Sequence, residues 1–136
     1  MKKMVVIMSH SLTEEQRVDA RENLGITEFI ELSTELKKLW SNIPPELDMV
    51  GTRDYLEPII DWCFYLRKKE EPSELVFLVH GQPGAQTIVV NIMSDYIGLC
   101  YYATTKRVSI ETAKPDGTVE KSSTFKHVRF VQYHVL

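Results

Sequence analysis

The chain has 136 residues, a length that suits one domain able to bury a core without metal or disulfide staples. Hydrophobic residues make up 43% and charged residues 26%, as in an ordinary globular protein, and the net charge of −3 argues against broad binding to duplex DNA. The two cysteines, Cys63 and Cys100, lie inside apolar runs with no second ligand at zinc spacing, and so read as buried thiols of a cytoplasmic protein.

Lys2 and Lys3 precede the apolar run Met4 to Met8, which is too short for a signal peptide or a membrane span and has the pattern of a strand buried on both faces. Ser9-His10-Ser11 follows it. Thr13 and Gln16 have capping-box spacing and Gly25 suits a C-terminal cap, predicting a helix over 13–24. A short strand is expected at Glu28 to Leu32 and a helix at Thr34 to Leu39, closed by Asn42-Ile43-Pro44-Pro45. Asp54 to Lys68 reads as one helix with Leu56, Ile60 and Phe64 on one row and Pro58 near its first turn. Glu70-Glu71-Pro72-Ser73 ends it. Leu75 to Val79 is the second buried strand; a helix from Ala85 to Ile97 follows, then Gly98 and a strand from Leu99 to Ala103. Val108 to Thr112, the Pro115-Asp116-Gly117 turn, Val119 to Ser123 and Phe125 to Val135 read as an antiparallel meander.

This order predicts an α/β fold: a Rossmann-like three-layer sandwich with a mostly parallel central sheet and a C-terminal antiparallel hairpin extension. The whole chain forms one domain, with 1–105 as the α/β core and 106–136 as the hairpin.

In such a sheet ligands bind beyond the carboxyl ends of the strands. Three ends carry polar groups here: Ser9-His10-Ser11, His80-Gly81-Gln82 and Thr104-Thr105-Lys106-Arg107. The loop from His80 through Gly81, Gln82, Gly84, Ala85 and Gln86 passes from strand to helix, which aims backbone N–H groups and a helix N-terminus at one place. Hydroxyls, an ammonium and a guanidinium at the next strand end are the side chains that hold phosphate oxygens. The loop is neither a P-loop nor Gly-x-Gly-x-x-Gly, so a nucleoside triphosphate or a dinucleotide is poorly supported. The charge is uneven as well: from Cys100 onward six bases face three acids, a local +3, leaving −6 for the preceding part. A small anionic ligand fits that better than a long polyanion. His10 and His80 are candidate acids or bases, whereas His127 and His134 read as half-exposed strand residues. Arg107 could instead pair with Glu111 at the surface. Tyr101 and Tyr102 could stack on a base, although alternation makes one of them core. No pair of histidines or carboxylates on one element has metal-ligand spacing.

Ser9 to Gln16, Leu39-Trp40-Ser41-Asn42-Ile43-Pro44-Pro45-Glu46, Gly81-x-x-Gly84-Ala85, Tyr102 to Arg107, and Asp116-Gly117 followed by Phe125-Lys126-His127-Val128-Arg129-Phe130 occur in one order. Together they resemble the small accessory proteins of type III CRISPR systems assigned as ring nucleases, over nearly the whole chain. The resemblance implies a fold related to CRISPR-associated Rossmann sensor domains, a homodimer, and cyclic oligoadenylate as ligand. It further implies that the chain, without cofactor or metal, linearises cyclic tetra-adenylate by attack of a ribose 2′-hydroxyl on the adjacent phosphorus, so switching off antiviral signalling. On that reading Arg107 and Lys106 meet phosphate charge, and Thr104 and Thr105 donate hydrogen bonds. Ser9, His10 and Ser11 line the site, His10 passing a proton to the leaving oxygen. His80, Gly81, Gln82, Gly84, Ala85, Gln86 and Tyr102 complete the binding surface. The glycine loop departs from the family pattern, which more often has Gln before the first glycine and Asp-Phe after it; here stand His80 and Gln82-Pro83. Two other readings use the same residues: a non-catalytic binder of the messenger, and an interaction module docking through the hairpin, with Trp40 to Pro45 as an exposed contact.

Overall fold

Met4 to Met8 and Leu75 to Val79 have no polar side chain to offer water. In the computed structural model, which describes residues 1–71, 74–95 and 99–134, they lie side by side at the centre of a five-stranded sheet. β1 (Lys2–Ile7) pairs in parallel with β2 (Ile26–Glu31) on one side and β3 (Leu75–Val79) on the other. β4 (Leu99–Ala113) continues the parallel order beside β3, and β5 (Val119–Gln132) closes the sheet antiparallel to β4. The spatial order is β2-β1-β3-β4-β5. Met4 to Ile7 and all of β3 are buried, each large apolar side chain contributing roughly 1.5–3 kcal/mol relative to exposure.

A sheet apolar on both faces needs cover on both. On one face α1 (Glu14–Leu24) supplies Ala20, which packs with Met4, Val6, Leu78, Tyr101 and Phe130. The capping box predicted for it forms: Gln16 N–H donates to Thr13 Oγ1 at 3.2 Å, and Thr13 N–H to Gln16 Oε1 at 3.0 Å. Gly25 ends the helix at φ 70°, a conformation that glycine adopts without steric cost. The other face is covered by α2 (Thr34–Ser41), α3 (Met49–Tyr55), α4 (Glu57–Lys69) and α5 (Pro83–Asp95). Trp40, Ile59, Ile60, Cys63, Leu66, Val89 and Met93 pack there on Val5, Ile7, Phe77 and Val79.

The single helix expected over Asp54 to Lys68 is two, joined at Leu56. Pro58 has no N–H for a continuous helix, so the chain restarts, with Pro58 in the first turn of α4 where no N–H is needed. The part missed, α3, is capped by Asp48, which accepts the Gly51 N–H at 2.8 Å. α5 begins at Pro83, two residues before the expected start; its expected end at Ile97, Gly98, the Pro72-Ser73 break and Val135 lie outside the described residues.

The expected meander is one long hairpin. No glycine, proline, aspartate or asparagine interrupts 104–107 or 123–125, and these residues extend as strand instead. The expected turn does form: Gly117 sits at φ 85° and Asp116 Oδ1 accepts from the Thr118 N–H at 2.9 Å. β4 pairs with β3 only over Leu99 to Tyr101, so the remainder of the hairpin projects past the carboxyl ends of β1 and β3. β5 carries one extra residue, Val128, so that Thr104 faces Arg129 while Thr105 faces His127. Among the described residues, no helix is long and apolar enough to cross a membrane.

His127 is not the half-exposed residue that strand alternation suggested. Its side chain is 5% exposed, and Nε2 lies 2.6 Å from Asp19 Oδ2 on α1, pinning the hairpin to the helix. A carboxylate oxygen accepts, so Nε2 carries the proton and the buried Nδ1 is left without a partner among the described residues. Burial pushes the Asp19 carboxyl up, but hydrogen bonds from Asn23 and His127 and the fields of His127 and Arg129 outweigh it and lower its pKa. A carboxyl held low in the fold stabilises fully above the unfolded carboxylate range, and that contribution is lost as pH falls through the folded value. Asp19→Asn is therefore expected to lower stability by about 1–3 kcal/mol at neutral pH. In urea denaturation the gap from the parent should close on acidification; a gap that stays constant with pH would show that the charge of Asp19 is immaterial.

Candidate functional site

The order β2-β1-β3-β4 means that the chain leaves β1 toward one edge and returns to build β3 on the other side. Such a reversal opens a crevice at the carboxyl ends of the two strands. His10 follows β1 and His80 follows β3, and the chain therefore brings them together: their ring centroids are 6.1 Å apart and the rings meet edge to face. They line a cavity of about 440 Å³ with Met8, Gln16, Leu78, Ala103, Thr105 and Phe125.

Each imidazole is held differently. His10 Nδ1 lies 3.3 Å from the Ser11 carbonyl oxygen, which can only accept, so this contact places a proton on Nδ1 and leaves Nε2 as a free acceptor. His80 is fixed through its backbone instead. Its N–H donates to the Ile7 carbonyl at 3.0 Å, and its carbonyl accepts from Trp40 Nε1 at 3.0 Å. Trp40 is only 3% exposed. The exposed Trp40 to Pro45 contact surface is thus corrected at its first residue: the indole is turned inward beneath the glycine loop. Sequence reasoning had no signal for this partner, which lies forty residues from His80.

The glycine loop satisfies much of its own backbone. Gly81 N–H donates to Gln86 Oε1 at 3.2 Å, Ala85 N–H to Gln82 Oε1 at 2.9 Å, and Gln86 N–H to the Gln82 carbonyl at 2.9 Å. Of the backbone N–H groups of Gly81, Gly84, Ala85 and Gln86, that of Gly84 alone has no acceptor among the described residues. Gln82 acts as the helix cap in place of an external anion. Gln86 reaches on to the Tyr133 hydroxyl at 2.7 Å.

The Thr104 to Arg107 block is divided between two faces of the sheet. Ala103 and Thr105 both line the histidine cavity, which puts Tyr102, Thr104 and Lys106 on the opposite face by alternation. Arg107 is on the cavity side, its guanidinium 5.9 Å from the centre of the Phe125 ring that lines the cavity. The surface pair suggested for Arg107 does not form; Glu111 is 3.8 Å from Lys121. Tyr102 lies 4.9 Å from Tyr133, centroid to centroid. Thr104 donates to the Arg129 carbonyl at 3.2 Å. The structure thus gathers His10, His80, Thr105 and Arg107 together and leaves Lys106, Thr104, Tyr102 and Gln86 elsewhere. Ser9 and Ser11 flank His10 with exposed side chains.

Neither cysteine offers a nucleophile. Burial raises the Cys63 thiol to about 12, with Cys100 adding to the shift, and burial raises Cys100 to about 11 against a hydrogen bond from Ser94. Among the described residues, no group of three or more His, Cys, Asp or Glu is placed to hold a metal ion.

A methyl group at Gly81 would sit 2.7 Å from the Trp40 ring. Gly81→Ala should therefore displace the loop, destabilising the protein by about 1–3 kcal/mol and loosening the Trp40 contact to His80. Thermal unfolding together with the Trp fluorescence maximum checks this; an unchanged indole environment would show that the loop is not held there.

Comparison with known proteins gives a relationship but no activity. The family described as "Uncharacterized protein MJ1673 family" matches residues 2–131. "Uncharacterized protein MJ1673" of Methanocaldococcus jannaschii is 42% identical over 134 residues, covering 98% of each chain. No solved structure matches the chain.

Proposed function

We propose that this chain, which belongs to the MJ1673 family, is a ring nuclease that binds cyclic tetra-adenylate on a Rossmann-like fold and opens it without a metal. The observation that carries the reading is the placement of His10 and His80 edge to face in one cavity, with Thr105 on its wall and Arg107 over Phe125 beside it. Ring opening needs the ribose 2′-hydroxyl to lose a proton while its oxygen attacks the adjacent phosphorus. The bond from phosphorus to the 5′-oxygen breaks, that oxygen takes up a proton, and a 2′,3′-cyclic phosphate remains. Two imidazoles suffice for the two proton movements; with its Nε2 a free acceptor, His10 takes the 2′-hydroxyl proton in place of the acid role first expected of it, and His80 gives a proton to the leaving oxygen. Thr105 and the Arg107 guanidinium serve the phosphate oxygens, whose charge grows in the transition state.

The resemblance to type III CRISPR accessory proteins supplies the identity of the ligand, and the geometry supports a phosphate ester in the crevice. A two-fold homodimer would offer the same groups to opposite phosphates of a symmetric ring. The reading places the protein in the cytoplasm, where it would lower the messenger and so end the antiviral response.

The test is incubation of the purified protein with cyclic tetra-adenylate in excess chelator, followed by chromatography. Linear fragments over many turnovers are expected. His10→Ala and His80→Ala should each cost about 10²–10⁴-fold in rate, with folding retained. Arg107→Ala should lose cleavage more than stability. Tight binding with the ring intact would identify a binder that sequesters the messenger, and no binding at all would remove cyclic oligoadenylate as the ligand.

A further inference from the structure

We propose that the face of the β4–β5 hairpin turned toward α5 is a second site, binding a short single-stranded oligonucleotide. One base stacks at Tyr102 and Tyr133, and a phosphate lies between Lys106 and Lys126. This site is on the opposite side of the sheet from the histidine cavity, and the argument for it does not depend on what that cavity cleaves.

Two observations point to it independently. The first is a cavity of about 580 Å³ lined by Tyr102, Tyr133, Val131, Gln132, His134 and Gln86. It is largely apolar with a few polar ends, and its two tyrosine rings lie 4.9 Å apart, a platform able to take the flat face of a base. Gln86 Nε2 donates to the Tyr133 hydroxyl, which leaves the phenol proton free to meet an acceptor on a base edge.

The second observation is electrostatic. Lys106 and Lys126 are direct register partners, so two ammonium groups rise from opposed positions on one face. Like charges directly opposite one another destabilise a strand pair. Elsewhere in the hairpin the lysines are paired, Lys114 with Glu120 at 3.6 Å and Lys121 with Glu111 at 3.8 Å. Lys106 and Lys126 have no such partner among the described residues. An anion between them relieves the repulsion that the fold otherwise tolerates.

Spacing connects the two halves. Tyr102 and Lys106 share a face four residues apart, about 13 Å along a strand at roughly 3.3 Å per residue. A base on an aromatic platform with backbone charge met further along a basic track is how single strands are held without regard to sequence. The distance also calls for a ligand longer than one mononucleotide.

Fluorescence anisotropy of a labelled hexa-adenylate RNA with the full chain, over a series of KCl concentrations, tests this. Saturable binding that weakens with salt is expected. Lys126→Ala should reduce affinity and flatten the slope of log K against log salt by about 0.7, the signature of one lost phosphate contact on a single strand. Tyr102→Leu should weaken binding about tenfold with the slope unchanged. Tyr102 is partly buried, so circular dichroism accompanies that variant, and the exposed Lys126→Ala decides the matter if Tyr102→Leu does not fold. Absence of saturable binding, silence of Lys126→Ala, or equal competition by an oligoglutamate peptide would each overturn the inference. Failure here leaves the cyclic substrate untouched, because cleavage is read separately in the His10 and His80 variants.

Discussion

The constraint on which the rest depends is the burial of β1 and β3 against each other with apolar side chains on both faces. Neither strand can sit at an edge, so each must be covered above and below, and the chain must cross from one side of β1 to the other to supply that cover. The reversal this forces opens the crevice, and the residues next after the two buried strands are placed at its mouth. The meeting of His10 with His80 is thus a product of core packing. Trp40 extends the same logic: a side chain recruited to the core also holds the carbonyl of His80, so the loop cannot shift without disturbing the packing beneath it.

The hairpin adds a division of labour. A two-stranded ribbon that runs past its parallel sheet has two usable faces, and the block from Tyr102 to Arg107 contributes to both by simple alternation. Thr105 and Arg107 turn to the histidines, while Tyr102 and Lys106 turn to α5. The Asp19 to His127 contact gives the ribbon a fixed attitude, since a free two-stranded extension is marginal in water. A ligand on either face therefore meets a surface braced from the side of α1.

Much of the frame could be read from the residues. β3 matches its expected limits, α1 and the Asp116-Gly117 turn form with the chemistry that Thr13, Gln16 and Gly117 announce, and the antiparallel pair closes the sheet where the helices cease. Pro58 is visible in the sequence but ambiguous there, because a proline in a first turn is compatible both with a continuing pattern and with a new helix. The site was legible as a list of strand ends and illegible as an assembly. Sequence order does not say which face of the sheet the β4 residues on either side of Thr105 meet, that Gln82 and Gln86 fold back to occupy the loop's own N–H groups, or that an aspartate 108 positions away will bury His127. Each of these is a tertiary contact between groups that look solvent-facing in isolation.

The extra residue at Val128 has a consequence for how this hairpin can change over time. Phe130 and His127 are three apart, an odd interval that in an unbroken strand would send them to opposite sides, yet both pack toward α1. The bulge acts as a frame-shift in the ribbon, keeping the parity of the base-side residues in step with that of the tip-side residues. Substitution at Val128 leaves that parity alone. Deletion of Val128 itself would leave Phe130 and His127 two apart, an even interval that keeps both toward α1 in an unbroken strand and Lys126 on the α5 side. The hairpin should therefore tolerate loss of the bulge, whereas losing one residue between Phe125 and His127 with the bulge retained would exchange the two faces toward the tip.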